Sequence, residues 1–344
     1  MNRSLTSSLQ ISRRAALALS VALLGACAQM APSPDPLPSW NEGPAKEAIV
    51  QFVRKTTDSA SPQFVPHAQR VATFDQDGTL WVEQPMYAQV AFALDRVKEV
   101  VKAQPALANE EPFKAVVTGD RAAMARFTEA DLLKIVGASQ AGLTIEAFRD
   151  VVKAWATTAK HPRFQRPYTE LVYAPMVEAM KYLRANGYRT YIVTGGGQEF
   201  VRAFADAVYG VPPEQVIGSM LKVDYSVRNG VPTLTNAPAV FFINDKAGKP
   251  VGINMVIGQR PQAAFGNSDG DQQMLEWTTA GAGARLGMLV LHDDAQREFA
   301  YGPATGLPES KVGTFTQSLY DEAKAKGWSV ISIRKDWKRV FAYE

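Results

Sequence analysis

The stretch Val71-Ala-Thr-Phe-Asp-Gln-Asp-Gly-Thr-Leu80 constrains the fold of this chain more than any other. Its apolar run, Val71 to Phe74, predicts a short buried strand. Asp75 and Asp77 follow, and because residues i and i+2 of a strand point the same way, both carboxylates can face one small volume. Carboxylates this close repel one another unless a cation or a shared proton compensates, so the pair indicates a site. The alternative is an ordinary turn, since Asp and Gly are common turn residues.

The pattern after this stretch predicts the fold class. Strand patterns recur at Tyr188–Val193, Ala263–Phe265 and Gly287–Leu291, with helical segments between them. Such alternation is typical of an α/β protein with a doubly wound parallel sheet. Residues 85–164 carry helical spacing and few strand signals. We therefore expect a helical cap inserted after the first strand of a core formed by residues 45–84 and 165–344.

Shorter patterns predict further elements of this core and cap. Helical spacing extends without interruption over Arg121–Val136 and over Gln198–Tyr209. Asn229-Gly230 between apolar runs is typical of a hairpin turn. The segment that begins at Trp328 predicts a final strand that closes the sheet.

We expect the first 26 residues to be a signal that is separate from the folded part. Arg13 and Arg14 precede an apolar run, Ala15–Ala26, that is too short for an ordinary spanning helix, and Cys27 follows as the only cysteine. The pattern resembles a bacterial lipoprotein signal with Cys27 as the lipidated residue, and Ser12 to Leu17 also resembles a degenerate twin-arginine signal. This implies a periplasmic protein that touches the membrane only through its lipid anchor, and residues 27–44 would form a linker. The alternative is a hydrophobic N-terminus that is not cleaved.

Charge excludes one class of partner. Removing the signal takes Lys+Arg from 37 to 34, against 34 Asp+Glu, so the formal net charge of the remainder is zero. A nucleic-acid-binding protein requires a clustered basic face, and none is indicated. The sequence carries no signal of oligomeric state.

Three predicted strands end in polar loops rich in glycine. Asp75 and Asp77 follow the first, Thr194 with three glycines follows the second, and the loop Gly266-Asn-Ser-Asp-Gly-Asp271 follows the third. Ligands of an open parallel sheet bind at the carboxyl ends of its strands, so these loops are expected to meet. Backbone N–H groups after Thr194 suit an anionic oxygen, and the acidic loops supply hard oxygen ligands for Mg²⁺.

These motifs together resemble the haloacid dehalogenase superfamily of aspartate-nucleophile phosphohydrolases, in its phosphoserine-phosphatase-like branch. The four matching motifs are Asp75-Gln-Asp77-Gly-Thr, Thr194-Gly-Gly, Lys249 and the Gly266–Asp271 loop. The resemblance implies that Asp75 is the nucleophile, which forms an aspartyl-phosphate, and that Asp77 is the general acid and base. The carbon–halogen hydrolases of the superfamily lack this second acid, so Asp77 indicates phosphate chemistry.

The resemblance also implies how the phosphate and the metal are bound. Lys249 would offset the charge of nucleophile and phosphate. The transferring oxygens would be held by the hydroxyl of Thr194 and by Gly195 and Gly196. Mg²⁺ would bind to Asp75, to the backbone carbonyl of Asp77, and to Asn267 and Asp271 of the last loop.

Two positions leave alternatives open. The branch usually has an aspartate where this chain has Asn267, which can still ligate Mg²⁺ through its carbonyl but brings no charge. Asp271 matches the second acid of that loop, and Asp269 is an additional acid that could substitute as a ligand. Lys249, directly before Pro250, fits a helix start better than Lys246, the other candidate.

Other polar and aromatic residues are weaker candidates. Glu83, with Trp81, follows the nucleophile loop and could contact the leaving group of the substrate; the alternative is a packing tryptophan and a surface acid. The three histidines are dispersed, which argues against a zinc site. His292 follows a predicted strand and could border the site, but a solvated turn is the preferred interpretation there.

The sequence therefore predicts a lipid-anchored, Mg²⁺-dependent phosphomonoester hydrolase that acts on small phosphorylated metabolites in the periplasm. One alternative is a lipoprotein that binds phosphoesters without turnover, in which Asn267 has weakened the metal site. The intact pair of Asp75 and Asp77 argues against it, because binding alone needs no acid or base. A phosphotransferase with another phosphoryl acceptor is the remaining alternative.

Overall fold

The computed structural model of the protein describes Met1 and residues 35–344. The predicted signal, Cys27 and most of the predicted linker lie outside the described residues. A seven-stranded sheet forms the centre of the fold. Its strands are β1 (Val71–Phe74), β2 (Arg189–Gly197), β3 (Val216–Arg228), β4 (Val231–Phe242), β5 (Ala263–Gly266), β6 (Leu286–Leu291) and β7 (Ser329–Ser332).

The sheet is parallel apart from one edge. Its strand order is β4-β3-β2-β1-β5-β6-β7, and only the β3–β4 pair is antiparallel. All residues of β1, β5 and β6 are buried. This is expected of strands that helices cover on both faces, and such strands consist almost entirely of apolar residues. The expected α/β fold with a doubly wound, mainly parallel sheet is confirmed, and β7 closes its far edge.

The antiparallel edge is a long hairpin. Its turn consists of Asn229 and Gly230, which have φ values of 49° and 78°. Two successive residues with positive φ are typical of the tight turns that match the twist of hairpin strands, and Asn-Gly adopts them readily. The hairpin predicted from this dipeptide is confirmed, with strands longer than the sequence pattern indicated.

The helices flank the sheet and fill the segment after β1. They are α1 (Pro44–Thr57), α2 (Ala88–Ala103), α3 (Phe113–Thr118), α4 (Arg121–Met124), α5 (Glu129–Gln140), α6 (Ile145–Thr158), α7 (Ala174–Ala185), α8 (Gln198–Arg202), α9 (Ala205–Tyr209), α10 (Gly248–Ile257), α11 (Gln272–Thr279), α12 (Gln317–Lys326) and α13 (Ile333–Asp336). The chain between β1 and β2 is thus mainly helical, and α2 to α6 lie within residues 85–164. Among the helices at residues 35–344, none combines the length and the apolar character that crossing a lipid bilayer requires.

Two helices expected to be continuous are broken. The predicted helix Arg121–Val136 is divided because Thr128 caps a new helix, α5: its hydroxyl accepts from the N–H of Asp131, whose carboxylate in turn accepts from the N–H of Thr128. The predicted helix Gln198–Tyr209 is divided into α8 and α9. Phe204, which lies between them, has non-helical backbone angles. Apolar periodicity continues across both breaks, so it cannot reveal them.

The predicted linker of residues 27–44 is wrong at its C-terminal end. Leu37, Ser39 and Trp40 are buried. The indole N–H of Trp40 donates to the carbonyl of Pro175 over 2.9 Å, and the Ser39 hydroxyl donates to Glu178 over 2.6 Å. The compact unit of the chain accordingly runs from Leu37 to Glu344. Proline and serine made this stretch resemble a tether, and only its packing identifies it as folded.

Candidate active site

The three glycine-marked loops lie at the carboxyl ends of neighbouring strands. In the sheet, β1 lies between β2 and β5, and its parallel pairing places Phe74 opposite Ile192 on one side and Phe265 on the other. Asp75 follows Phe74 directly, and its N–H donates to the carbonyl of Phe265 over 2.9 Å. The predicted meeting of these loops at one edge of the sheet is thus observed.

Lys249 connects two of these loops. Its ammonium Nζ lies 2.5 Å from Oδ1 of Asp75 and 2.5 Å from Oδ1 of Asp271, and it donates to the carbonyl of Val193 over 3.0 Å. Lys249 is only 2% exposed, at the start of α10. Lys246 is exposed and has a φ of 51°. The geometry therefore favours Lys249 as the lysine of the site.

Burial and neighbouring charges set the proton affinities here. Burial, with the Asp271 carboxylate as the second cause, raises the pKa of Asp75 well above its usual range, and Lys249 opposes this. Burial alone would lower the pKa of Lys249, but the carboxylates of Asp271 and Asp75 raise it above its ordinary value. Lys249 is therefore a permanent cation, and the carboxylate oxygens that it contacts are held next to a positive charge.

Asp77 lies beside Asp75 and is held by a tryptophan. The indole N–H of Trp81 donates to Oδ1 of Asp77 over 2.7 Å, and the ring of Trp81 stacks on Phe204 at a centroid distance of 4.8 Å. Burial raises the pKa of Asp77 to about 6, while the hydrogen bond from Trp81 and the charge of Lys249 oppose the rise. A carboxyl group with this pKa can both give and take a proton near neutral pH. Trp81 is thus buried, as one reading of the sequence expected, and it contacts Asp77.

The glycine loop after β2 faces Asp77. A Cβ atom on Gly196 would lie 3.2 Å from the Thr194 hydroxyl and 3.8 Å from Oδ2 of Asp77. The N–H of Gly196 donates to that hydroxyl over 2.9 Å, and the N–H of Gly197 donates to Oε1 of Gln89 over 2.6 Å. Gln89 belongs to α2, so the inserted segment reaches this loop. The predicted substrate roles of Gly195 and Gly196 stay predictions.

The last loop is built around Asp271. Its Oδ2 accepts from the N–H groups of Asn267 and Ser268 over 3.0 and 3.1 Å, while its Oδ1 contacts Lys249. Oδ1 of Asp269 accepts from the N–H and the hydroxyl of Thr316. Asp269 therefore ties this loop to the chain before α12, and the contacts of Asp271 orient Lys249. The predicted metal role of Asp271 stays a prediction.

Glu83 is not the surface acid that one reading of the sequence expected. It is 2% exposed, and its Oε1 accepts from Nδ2 of Asn267 over 2.7 Å and from the Tyr301 hydroxyl over 2.8 Å. Burial raises the pKa of Glu83 well above its usual range; the bond from Tyr301 opposes this, and the charges of Asp77 and Asp75 add to it. Its predicted contact with the leaving group stays a prediction.

The expectation of a solvated turn at His292 is wrong. His292 is 2% exposed, and its Nε2 lies 2.8 Å from the carbonyl oxygen of Gly78, which can only accept, so Nε2 donates. Its Nδ1 lies 3.0 Å from Glu298, and its ring stacks on Tyr301 at 4.4 Å. His292 thus fixes the loop that carries Asp77. Its place after a predicted strand allowed a position at the border of the site, but Gly78 lies 214 residues away along the chain, so the sequence could not reveal this contact.

The donor set suits a magnesium ion better than a metal held by protein alone. No three His, Cys, Asp or Glu side chains within residues 35–344 are arranged as a metal cage. Mg²⁺ does not require one, because it keeps several waters and binds through one or two carboxylates and the phosphate of a substrate. Oδ2 of Asp75 receives no hydrogen bond from residues 35–344, and Oδ1 of Asn267 has only the Thr79 hydroxyl, at 3.2 Å. Both are hard oxygen donors, and each residue directly follows one of two adjacent strands, β1 and β5.

The parallel sheet carries an aspartate pair and a buried lysine at its carboxyl edge, the edge at which α/β enzymes bind their ligands. The family model of haloacid dehalogenase-like hydrolases matches residues 72–276, more than half of the chain, and the chain belongs to this family. The family predicted from the four motifs is confirmed, and the protein is an enzyme of the hydrolase class. Among curated proteins, no sequence matches the chain.

The solved structures that the chain is similar to are distant in sequence. A conserved protein of unknown function from Anaerococcus prevotii DSM 20548 has 16% identity over 73% of this chain and 86% of its own, with a TM-score of 0.49. A protein of unknown function from Bordetella pertussis Tohama I has 16% identity over 76% and 98%, with a TM-score of 0.45. A phosphoserine phosphohydrolase-like protein from Francisella tularensis has 16% identity over 65% and 88%, with a TM-score of 0.34.

Proposed function

We propose that the protein is a Mg²⁺-dependent phosphomonoester hydrolase that acts on small phosphorylated metabolites. The observation that carries the proposal is the state of Asp75: Lys249 holds one of its carboxylate oxygens at 2.5 Å, and no described donor engages the other. A carboxylate held in this way presents a single oriented nucleophilic oxygen. Asp77, with a pKa of about 6, supplies the acid and base that a phosphate ester requires.

The reaction would proceed in two displacements. Oδ2 of Asp75 attacks phosphorus, the bond from phosphorus to the ester oxygen breaks, and Asp77 gives its proton to the departing alcohol. In the second step Asp77 takes a proton from water, whose oxygen attacks phosphorus and releases inorganic phosphate and the free carboxylate of Asp75. The raised pKa of Asp77 serves both steps. Its carboxyl group is protonated in a useful fraction of molecules before the first step, and its carboxylate is basic enough to take a proton from water in the second.

The remaining residues would bind charge. Lys249 stays protonated and balances the nucleophile as phosphate approaches. The Thr194 hydroxyl and the N–H groups of the glycine loop would donate to phosphoryl oxygens, once those N–H groups leave their present acceptors. Asp75, the carbonyl of Asp77 and Asn267 would hold Mg²⁺, which when bound neutralises the charge that develops on the transferring phosphoryl group.

The test is phosphate release from a panel of phosphomonoesters by the purified protein, with and without Mg²⁺, beside Asp75→Asn. We expect Mg²⁺-dependent release that the variant lacks, because an amide oxygen cannot form the covalent intermediate. A folded Asp75→Asn variant with near-normal activity would contradict the nucleophile assignment. Transfer of the phosphoryl group to an added alcohol in place of water would identify a phosphotransferase.

We also propose that the protein is anchored by a lipid at Cys27 on the periplasmic side of a bacterial membrane. The support is the sequence pattern of an arginine pair, a short apolar run and a single cysteine. The test is detergent-phase partitioning of the protein expressed in a bacterium, compared with Cys27→Ser. We expect the wild type in the detergent phase and the variant outside it; equal partitioning would contradict the anchor.

A further inference from the structure

Glu83 is a buried carboxylate without a cationic side chain as its partner. Four carboxyl groups, those of Asp75, Asp77, Glu83 and Asp271, meet at this edge of the sheet, and Lys249 forms ion pairs with Asp75 and Asp271. Within residues 35–344, no Lys, Arg or His forms an ion pair with Glu83. A buried charge is costly unless a counter-charge lies close to it. Within the described residues no side chain supplies that counter-charge, so the charge of Glu83 is neutralised either by a proton or by a bound cation.

The surroundings of Glu83 hold its carboxylate in one place. Its Oε1 accepts the bonds from Asn267 and Tyr301, and a Cβ atom on either Gly78 or Gly313 would collide with that oxygen. Both glycines have positive φ, 73° and 63°, so the backbone passes close to the carboxylate in a conformation that other residues adopt rarely. Two backbone segments and two side chains thus fix Glu83 against the loop that carries Asp77.

The bond to Asn267 also decides which way the amide of Asn267 faces. An acceptor oxygen of Glu83 requires a donor, so the amide nitrogen Nδ2 must be turned toward it, at 2.7 Å. The carbonyl oxygen Oδ1 is then on the other arm of the amide, where Thr79 reaches it. An acceptor behind a metal ligand both orients that ligand and makes its oxygen more electron-rich, as carboxylates do for metal-bound histidines.

We propose that Glu83 is the outer carboxylate of the metal site: it orients Asn267 and supplies, from behind, the negative charge that an asparagine ligand lacks. The inference rests on the proposed function, because it assigns Asn267 to the metal. It makes Glu83 a positioning residue and places its action on the cation, not on the leaving group of the substrate. The neutral ligand and the buried acid then form one functional pair.

The experiment measures Mg²⁺ affinity by isothermal titration calorimetry, with Mn²⁺ binding followed by electron paramagnetic resonance as a second readout. Glu83→Gln should weaken binding by about 10- to 100-fold, the usual cost of losing an outer-shell partner of a metal ligand. The double variant Glu83→Gln/Asn267→Asp moves the charge to the other side of the same hydrogen bond. It should restore the affinity to within about threefold of the wild type, because the two sites are directly coupled.

Tyr301→Phe is the matched control. It removes the other hydrogen bond to Oε1 of Glu83 and keeps both the carboxylate and the ring that stacks on His292. We expect it to change the affinity for Mg²⁺ by less than about threefold, because the charge and the bond to Asn267 remain. A loss as large as that of Glu83→Gln would show that packing around Glu83, and not its charge, determines binding.

The outcomes separate the two proposals. A wild-type protein that binds neither ion would overturn the metal-dependent function and the inference with it. Equal Mg²⁺ affinities of the wild type and Glu83→Gln would overturn the inference alone. A double variant whose Mg²⁺ affinity is no higher than that of Glu83→Gln would do the same. If Glu83→Gln fails to fold, the double variant decides directly: retained affinity supports the inference, and lost affinity overturns it.

Discussion

Replacing Trp81 by phenylalanine should shift the acid and base function of Asp77 without removing it. The indole N–H donates to Oδ1 of Asp77 over 2.7 Å, which stabilises the ionised carboxylate and lowers its pKa. Phenylalanine keeps a ring to stack on Phe204 but has no donor. The pKa of Asp77 should therefore rise above its value of about 6.

The size of the shift follows from the energy of the lost bond. A hydrogen bond to a charged group contributes about 1.5–3 kcal/mol, and one pKa unit corresponds to about 1.4 kcal/mol, so the expected rise is about 1 to 2 units. In the first displacement Asp77 must be protonated, and kcat/KM falls as pH rises through its pKa. The alkaline limb of the profile should accordingly move to higher pH by this amount.

The assay is the pH dependence of kcat/KM for an alkyl phosphate, whose poor leaving group needs the acid, at saturating Mg²⁺. Trp155→Phe is the matched control, because the indole of Trp155 also donates to an aspartate, Asp95, but outside the site. Its profile should equal that of the wild type. An alkaline limb that stays in place in Trp81→Phe, in a variant with normal unfolding, would refute the reasoning.

Two further changes test the same edge of the sheet. Asp77→Asn should stabilise the metal-free protein at pH 7 by up to about 3 kcal/mol, because a folded pKa of about 6 against the ordinary 3.8 means that ionisation penalises the folded state. In urea unfolding, this gain should shrink below about 1 kcal/mol at pH 4, where the wild-type carboxyl group is mostly protonated in the folded state. A gain in stability that does not depend on pH would contradict this origin. His292→Phe keeps the stack on Tyr301 but loses the hydrogen bond to the carbonyl of Gly78, so kcat should fall roughly tenfold with KM nearly unchanged. His292→Gln retains a donor and should recover part of the lost kcat. An unchanged kcat in a folded His292→Phe variant would show that this hydrogen bond does not position the loop.

Local patterns were sufficient for the elements whose causes are local. The run Val71 to Phe74 is buried on every residue because it is the central strand of a covered parallel sheet, and such strands need apolar side chains throughout. Asn229-Gly230 forms a turn because both residues accept positive φ. The helix breaks near Thr128 and Phe204 were missed, since apolar periodicity continues across them. The segment from Leu37 was missed because its composition resembles a tether.

The sequence by itself determined the α/β class, the family and the three strand-end motifs, because a parallel sheet brings the carboxyl ends of its strands together whatever the loops contain. Only the tertiary structure shows that the ammonium group of Lys249 is buried against Asp75 whereas Lys246, three residues earlier, is exposed. It alone also brought Glu83 to Asn267, 184 residues apart, and His292 to Gly78. Contacts of this kind depend on how whole elements pack, and no spacing in the chain encodes them.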